Sequence, residues 1–425
     1  MRLTTTFLLL AAALIRLDSA TQETVTFGKA DLGREFLLQT SYETADSRED
    51  FNTSRSRVVT FERHGELLRM VEKHRGMGMP DRMLAAIPIR GESERGLSVD
   101  FNTGFDRVFR QEDRTGEDYN GRADREDYSF IPLTDRRLLR VSRNGPMLVL
   151  EQEGLDDHAK TVVVHYYLSP YRRNDEFEPF ELESLEHFGF YETYPRRVSG
   201  RTVLYAMKFD SHEPIVFALS ADIPAPYREA VRDGVQYWNT ALGMPLLQAI
   251  DAPAGVKAPS PDYNVIQWVV EGDRASTSHI QSDPLTGEIL HASIFIRAQM
   301  VDEGDPDDRN DRWRYVVAHE VGHALGLRHN FAKGPVTTVM NYFPSEDTVR
   351  IGNDVIEPGR DALEYDRKVV RYVYLGEALD LDTLPPFCTD HQDGCSPFAT
   401  PSAGDGPEAK RLTLPSHLES AVASP

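Results

Sequence analysis

Residues 319–330 read HEVGHALGLRHN, three histidines and a glutamate in one short stretch of an acidic chain. On a helix, His319 and His323 stand four residues apart and project from one face, so their nitrogens can converge on a single ion. Glu320 is displaced around the helix, where it faces a metal-bound water rather than the metal. Gly326 suits the helix end because a residue without Cβ turns the chain sharply there. That turn returns His329 as a third ligand, and three neutral imidazoles leave a tetrahedral zinc one open position. The alternative is an amphipathic helix that happens to carry imidazoles. At this chain's own residue frequencies, a bare His-Glu-x-x-His arises by chance in about 3% of such chains. Adding Gly326 and His329 at their offsets lowers that to roughly 1 in 15,000. The stretch is therefore read as a metal site.

Outward from this stretch the pattern is α+β. The active helix is expected over Arg312–Gly326 with Asp311 as its cap. Upstream lie a buried-type strand in EPIVFALS, a helix in PAPYREAVRDGVQYWNTAL with Pro226 in its first turn, and strands in NVIQWVV and ILHASIFI. Downstream, EYDRKVVRYVYL reads as a further helix. This order marks residues 211–378 as one α+β domain, its start falling around 205–212. Residues 21–210 read as a β-rich accessory or pro-domain. Its signals are alternating runs around His64-Gly65 and Asn144-Gly145, and the run TVVVHYYLSP. The intervening RQEDRTGEDYNGRADRED is expected to be a solvated loop.

The 425 residues suffice for two or three domains, and 40% hydrophobic with 27% charged residues is ordinary for a globular protein. A formal net charge of −21 argues against a nucleic-acid partner, since phosphate binding needs clustered Lys and Arg. Residues 1–20, with Arg2, an apolar run from Phe7 to Ile15, and small residues Ser19 and Ala20, read as a secretory signal; a buried first helix is the alternative. No later run has the length of a transmembrane helix. The expected location is secreted or periplasmic. The only cysteines, Cys388 and Cys395, fall in a C-terminal segment, 379–425, that becomes a Pro-, Ala- and Ser-rich tail. They could close a small disulfide loop, or join His391 at a metal in an incomplete and oddly spaced set.

HEVGHALGLRH is similar to the extended His-Glu-x-x-His-x-x-Gly-x-x-His signature of metzincin zinc endopeptidases. TTVMNYFP offers Met340 for the methionine turn of those enzymes, and Met340 with Tyr342 resembles the Met-x-Tyr of astacin-like and serralysin-like members. GLRHNF, SDPLTGEIL and VVTFERHG further resemble exported bacterial zinc metalloproteases with a large N-terminal domain. The resemblance implies a metzincin-like catalytic domain, with a twisted mixed sheet, an active-site helix and a Met-turn, and a substrate that is a protein or peptide. It implies one zinc held by His319, His323 and His329, Glu320 as general base, Met340 as an apolar floor, and Tyr342 donating a hydrogen bond to the tetrahedral intermediate. The strand ILHASIFI is expected to present an edge to an extended substrate. DPDDRND could take a structural calcium but lacks the spacing and glycine of a known loop, so a solvated acidic loop is the simpler reading. No cysteine precedes residue 388, which excludes a cysteine latency switch. Two rivals remain: a zinc-bound surface-binding protein without turnover, and a hydrolase of a non-peptide amide or ester. The oligomeric state is open.

Overall fold

The computed structural model describes residues 24–44, 52–76, 80–109, 130–182, 189–270, 276–298, 306–332, 337–341 and 361–389. The loop expected over 110–127 lies outside them, as do residues 1–20, Tyr342, His391 and Cys395.

The N-terminal part is built from β1 (Thr24–Gly28), β2 (Glu35–Thr44), β3 (Asn52–His64), β4 (Leu67–Glu72), β5 (Arg82–Glu92) and β6 (Gly96–Asp100). One helical turn, α1 (Phe101–Gly104), precedes β7 (Arg107–Phe109) and β8 (Phe130–Pro132), and then β9 (Thr134–Asn144), β10 (Met147–Leu155) and β11 (Thr161–Pro170). Nine of these form one sheet in the order β1-β6-β5-β4-β3-β2-β11-β10-β9, while β7 and β8 pair separately. Alternation decides which face is buried. Phe36, Leu38, Val59, Phe61, Leu68, Met70, Leu150 and Val164 point into one apolar cluster, the period-two signature of a half-buried strand. Both expected hairpins form, with His64 opposite Leu67 and Asn144 opposite Met147. The second turns at Gly145-Pro146, one residue later than Asn144-Gly145. Gly145, at φ +54°, takes the first turn position, where a II′ hairpin needs glycine, and Pro146 fits the second.

The C-terminal part begins with the small hairpin β12 (Arg196–Val198) and β13 (Arg201–Val203). It continues through β14 (Ile215–Leu219), α2 (Arg228–Leu242), β15 (Leu247–Asp251), β16 (Asn264–Val269), β17 (Thr277–Ser282), β18 (Ile289–Arg297), α3 (Pro306–Ala324) and α4 (Glu364–Leu375). Its five-stranded sheet runs β15-β14-β16-β18-β17. All neighbours are parallel except β17, which is antiparallel to β18. The sheet is thus mixed, and the chain as a whole is α+β. Two elements differ from the sequence reading. β18 is an inner strand, because β17, hidden in a polar stretch that reads as a turn-rich link, pairs along it; the edge strand is β17. Helix α3 starts at Pro306, whose fixed φ suits a first helical position. Asp311 is therefore inside the helix and binds Arg314 one turn on at 2.6 Å instead of capping it.

Helices α2, α3 and α4 cover this sheet around Trp238, Val317, Val321 and Val369. The Trp238 indole N–H donates to the Ala318 carbonyl at 2.8 Å, tying α2 to α3. The same core includes Leu182, Phe190, Ala206, Met207 and Phe209, which precede β14. Leu285 on the β17–β18 connection packs between Leu37 and Val58 of the N-terminal sheet. Beside it, the Tyr171 hydroxyl donates to Asp283 at 3.0 Å, and Arg196 donates to the Leu285 carbonyl. Among the described residues no helix is long and apolar enough to cross a membrane.

Candidate metal centre

Helix α3 carries His319 and His323 one turn apart. It closes in a Schellman arrangement: the Leu327 N–H donates to the Gly322 carbonyl at 3.0 Å and the Gly326 N–H to the His323 carbonyl at 2.9 Å. Gly326 takes φ +98°, and a Cβ there would lie 2.0 Å from the Met207 carbonyl oxygen. The chain reverses under this constraint and delivers His329 to the face holding the other two imidazoles.

The three rings form the one group among the described residues whose His, Cys, Asp or Glu atoms could jointly hold a metal. Nε2 of His323 lies 3.1 Å from Nε2 of His319 and 3.1 Å from Nε2 of His329. The opposite nitrogens of the helical pair are occupied. Nδ1 of His319 faces the Val339 carbonyl at 2.8 Å, and Nδ1 of His323 faces the Leu327 carbonyl at 2.8 Å. Since a carbonyl only accepts, both Nδ1 atoms carry the proton and both Nε2 atoms present lone pairs. Two facing lone pairs repel unless a cation lies between them. Zinc–nitrogen bonds of about 2.0–2.1 Å in a tetrahedron require nitrogens roughly 3.3 Å apart. The donor set fits zinc.

All four polar side chains are buried: His319 and Glu320 are 5% exposed, His329 6% and His323 7%. Burial, then the neighbouring His329 and His319, hold His323 well below the usual histidine range, so it stays neutral, as a ligand must be. Burial pushes the Glu320 carboxyl up to about 8, against a smaller opposing effect of His329. Its Oε2 has no hydrogen-bond partner among the described residues. An orphaned carboxylate oxygen beside three convergent nitrogens marks a place meant for something further. Met340 is fully buried under the helix; a Cβ on Gly322 would meet its sulfur at 2.2 Å, so the thioether lies against the turn between the two helical histidines.

A family model described as Met-zincin matches residues 307–374, the span of α3 and nearly all of α4. Over this span the chain is similar to the metzincins, and the histidine triad agrees with that likeness. Family match and triad together support a zinc metalloprotease in the general sense. No curated protein and no solved structure matches.

Three residues around this site are not apparent from the sequence. Asp366 of α4, fully buried, accepts from the Thr338 hydroxyl at 2.5 Å, the Tyr237 hydroxyl at 2.6 Å and the Val339 N–H at 2.8 Å. It thereby fixes the carbonyl that orients His319. Its one signal is an acid on the apolar stripe of Tyr365, Val369, Val370 and Val373. Glu192 and Arg328 pair in the interior with both charges nearly inaccessible, and neither carries any local pattern. On the other flank, Asn330 is buried, its side chain accepting from the Cys388 N–H at 3.0 Å. Cys388 is disulfide-bonded, and Cys395 is the other cysteine of the chain.

Proposed function

We propose that this protein is an exported zinc endopeptidase, with His319, His323 and His329 holding one catalytic ion and Glu320 acting as general base. The observation that carries the reading is the orphaned Glu320 oxygen beside three convergent imidazoles, two of them, His319 and His323, locked in tautomer. When bound, zinc supplies an acidified water and a Lewis acid for the scissile carbonyl. Glu320 accepts a proton at its free oxygen and returns it to the leaving amine. Its carboxyl starts high because it is buried, and a neighbouring cation draws it down toward the working range of a base. Tyr342 donates to the developing oxyanion. Edge strand β17 pairs with an extended peptide, main chain to main chain, which favours peptides over other amides or esters. The apolar run and small residues of 1–20 direct export and are removed.

The low exposure of the four side chains favours a second state, in which the zinc-loaded protein is closed to an extended chain until part of it moves. New termini mapped by mass spectrometry in a proteome-derived peptide library test both. Cuts made by the zinc-loaded protein, and lost with Glu320→Ala at unchanged zinc content, are the expected result; the glutamate should be worth about 10²–10⁴-fold in rate. Identical termini with zinc bound in both samples sink the endopeptidase reading for the intact chain and leave the surface-binding protein or the latent state. Recovery of intact protein from the cytoplasm, still beginning at Met1, would sink export.

A further inference from the structure

His329 is the one triad member not carried by α3, so its position depends on the path of residues 325–328. The helix cap fixes the start of that path. The rest is held by an extended segment lying well upstream in sequence. Phe190 forms an antiparallel bridge with Leu327, the Tyr191 N–H donates to the Gly326 carbonyl at 2.7 Å, and the Arg328 N–H donates to the Gly189 carbonyl at 3.1 Å. In such an extended stretch successive side chains point to opposite sides. Anchoring Arg328 on one side therefore sets the direction of His329 on the other.

The anchor is specific. One Arg328 Nη donates to both Glu192 oxygens, at 2.9 and 2.8 Å, and its Nε donates to the Phe190 carbonyl at 3.0 Å. The guanidinium lies 5.3 Å from the centre of the Tyr191 ring, whose hydroxyl is 3.3 Å from Nδ1 of His323. Arg328 is 5% and Glu192 4% exposed. A buried ion pair is a poor source of stability, because desolvating both charges offsets their attraction; its best-attested use is to specify one arrangement. Here the arrangement specified is that of a metal ligand.

We propose that Glu192 is a positioning residue for the metal, holding the third imidazole in place through Arg328. The inference rests on the zinc reading of the triad. It adds that affinity for the ion is set in part by a side chain outside the segment that matches the Met-zincin family.

The test uses the full chain stripped of metal and titrated with zinc against a chromophoric chelator, together with the visible spectrum of the cobalt form. Glu192→Gln leaves a buried guanidinium without its carboxylate. The double variant Glu192→Met/Arg328→Met removes both charges and keeps the volume apolar. Both are expected to weaken zinc binding about 10–100-fold, the usual effect of removing a group that orients a ligand. Both should also alter the cobalt bands, while the double variant keeps the circular dichroism and apo unfolding midpoint of the parent. Glu192→Asp, which retains the charge, should recover part of the affinity. A double variant that folds normally and binds zinc and cobalt as the parent does overturns the proposal, leaving the pair a merely structural feature. A double variant that does not fold overturns it as well, since the pair would then serve the fold and not the metal. A parent chain that takes up no zinc fails the underlying reading instead, a result distinct from either.

Discussion

Two glycines bracket the residue-scale problem of this site, and they answer to different constraints. Gly322 lies between the helical histidines, where an added Cβ would come within 2.2 Å of the Met340 sulfur and 2.6 Å of the Trp238 ring. The thioether can rotate away, but the indole is locked by its bond to Ala318. Gly326 combines φ +98° with a Cβ site 2.0 Å from a backbone carbonyl, and neither conflict has a flexible party. Gly322→Ala should cost about 1–3 kcal/mol by overpacking. Gly326→Ala should cost more and abolish zinc uptake. Urea unfolding of the apo proteins, followed by zinc titration, checks both; a Gly326→Ala protein as stable and as zinc-competent as the parent would contradict the argument.

At the scale of elements, α4 acts on the site through Asp366. Its carboxylate gathers donors from α2 and from Thr338 and Val339 just before Met340, and the Val339 carbonyl next to that bond orients His319. Asp366→Asn offers one accepting oxygen where two are used, leaving a buried donor unmet at a cost of about 1–3 kcal/mol. A lower unfolding midpoint with weaker zinc binding is expected, and an unchanged zinc affinity would show that α4 does not reach the metal. The β17–β18 pair carries a different element-scale property. Burial holds His279 and His291 at a pKa of about 4, below an unfolded value near 6.5. Between those values the unfolded chain binds more protons than the folded one, so stability is full above about pH 6.5 and falls as pH drops toward 4. The slope is at most about 1.4 kcal/mol per pH unit for each histidine. Denaturation series at pH 7, 6 and 5 should show this loss, and His279→Gln should flatten it.

Across the whole molecule, the metal-site domain does not end where its sequence pattern ends. Phe190, Met207 and Phe209 lie in its core, Gly326 fits only against the Met207 carbonyl, and Asn330 is held by the backbone of Cys388. A chain beginning at residue 211 lacks the segment, residues 189–191, that holds residues 326–328. It is expected to bind no zinc, whereas the full chain binds it; stoichiometric zinc in purified 211–425 would refute that dependence. The N-terminal sheet adds a further contact by covering Leu285. Its attachment to the β17–β18 connection makes it neighbour to the strand proposed to receive substrate.

Local chemistry was enough to specify the triad, the helix that carries it, the reversal at Gly326 and the two N-terminal hairpins. Each depends on residues a few positions apart, whose spacing alone sets which face they share or which turn they permit. The same holds for helix α4, written in its apolar stripe. The inner position of β18 could not be read that way, because β17 is short and polar and becomes a strand only by pairing. Asp311 looked like a cap because an acid before an apolar run usually is one, and the extra helical turns from Pro306 were not in that local pattern. Glu192, Arg328 and Asp366 owe their roles to partners distant in sequence, and a charged residue gives no local sign that it will be buried with its counterpart. The chain's spacing determined which atoms could meet at a metal; only the tertiary structure decided what holds them there, because the cost of burying a charge is settled by neighbours that folding alone brings together.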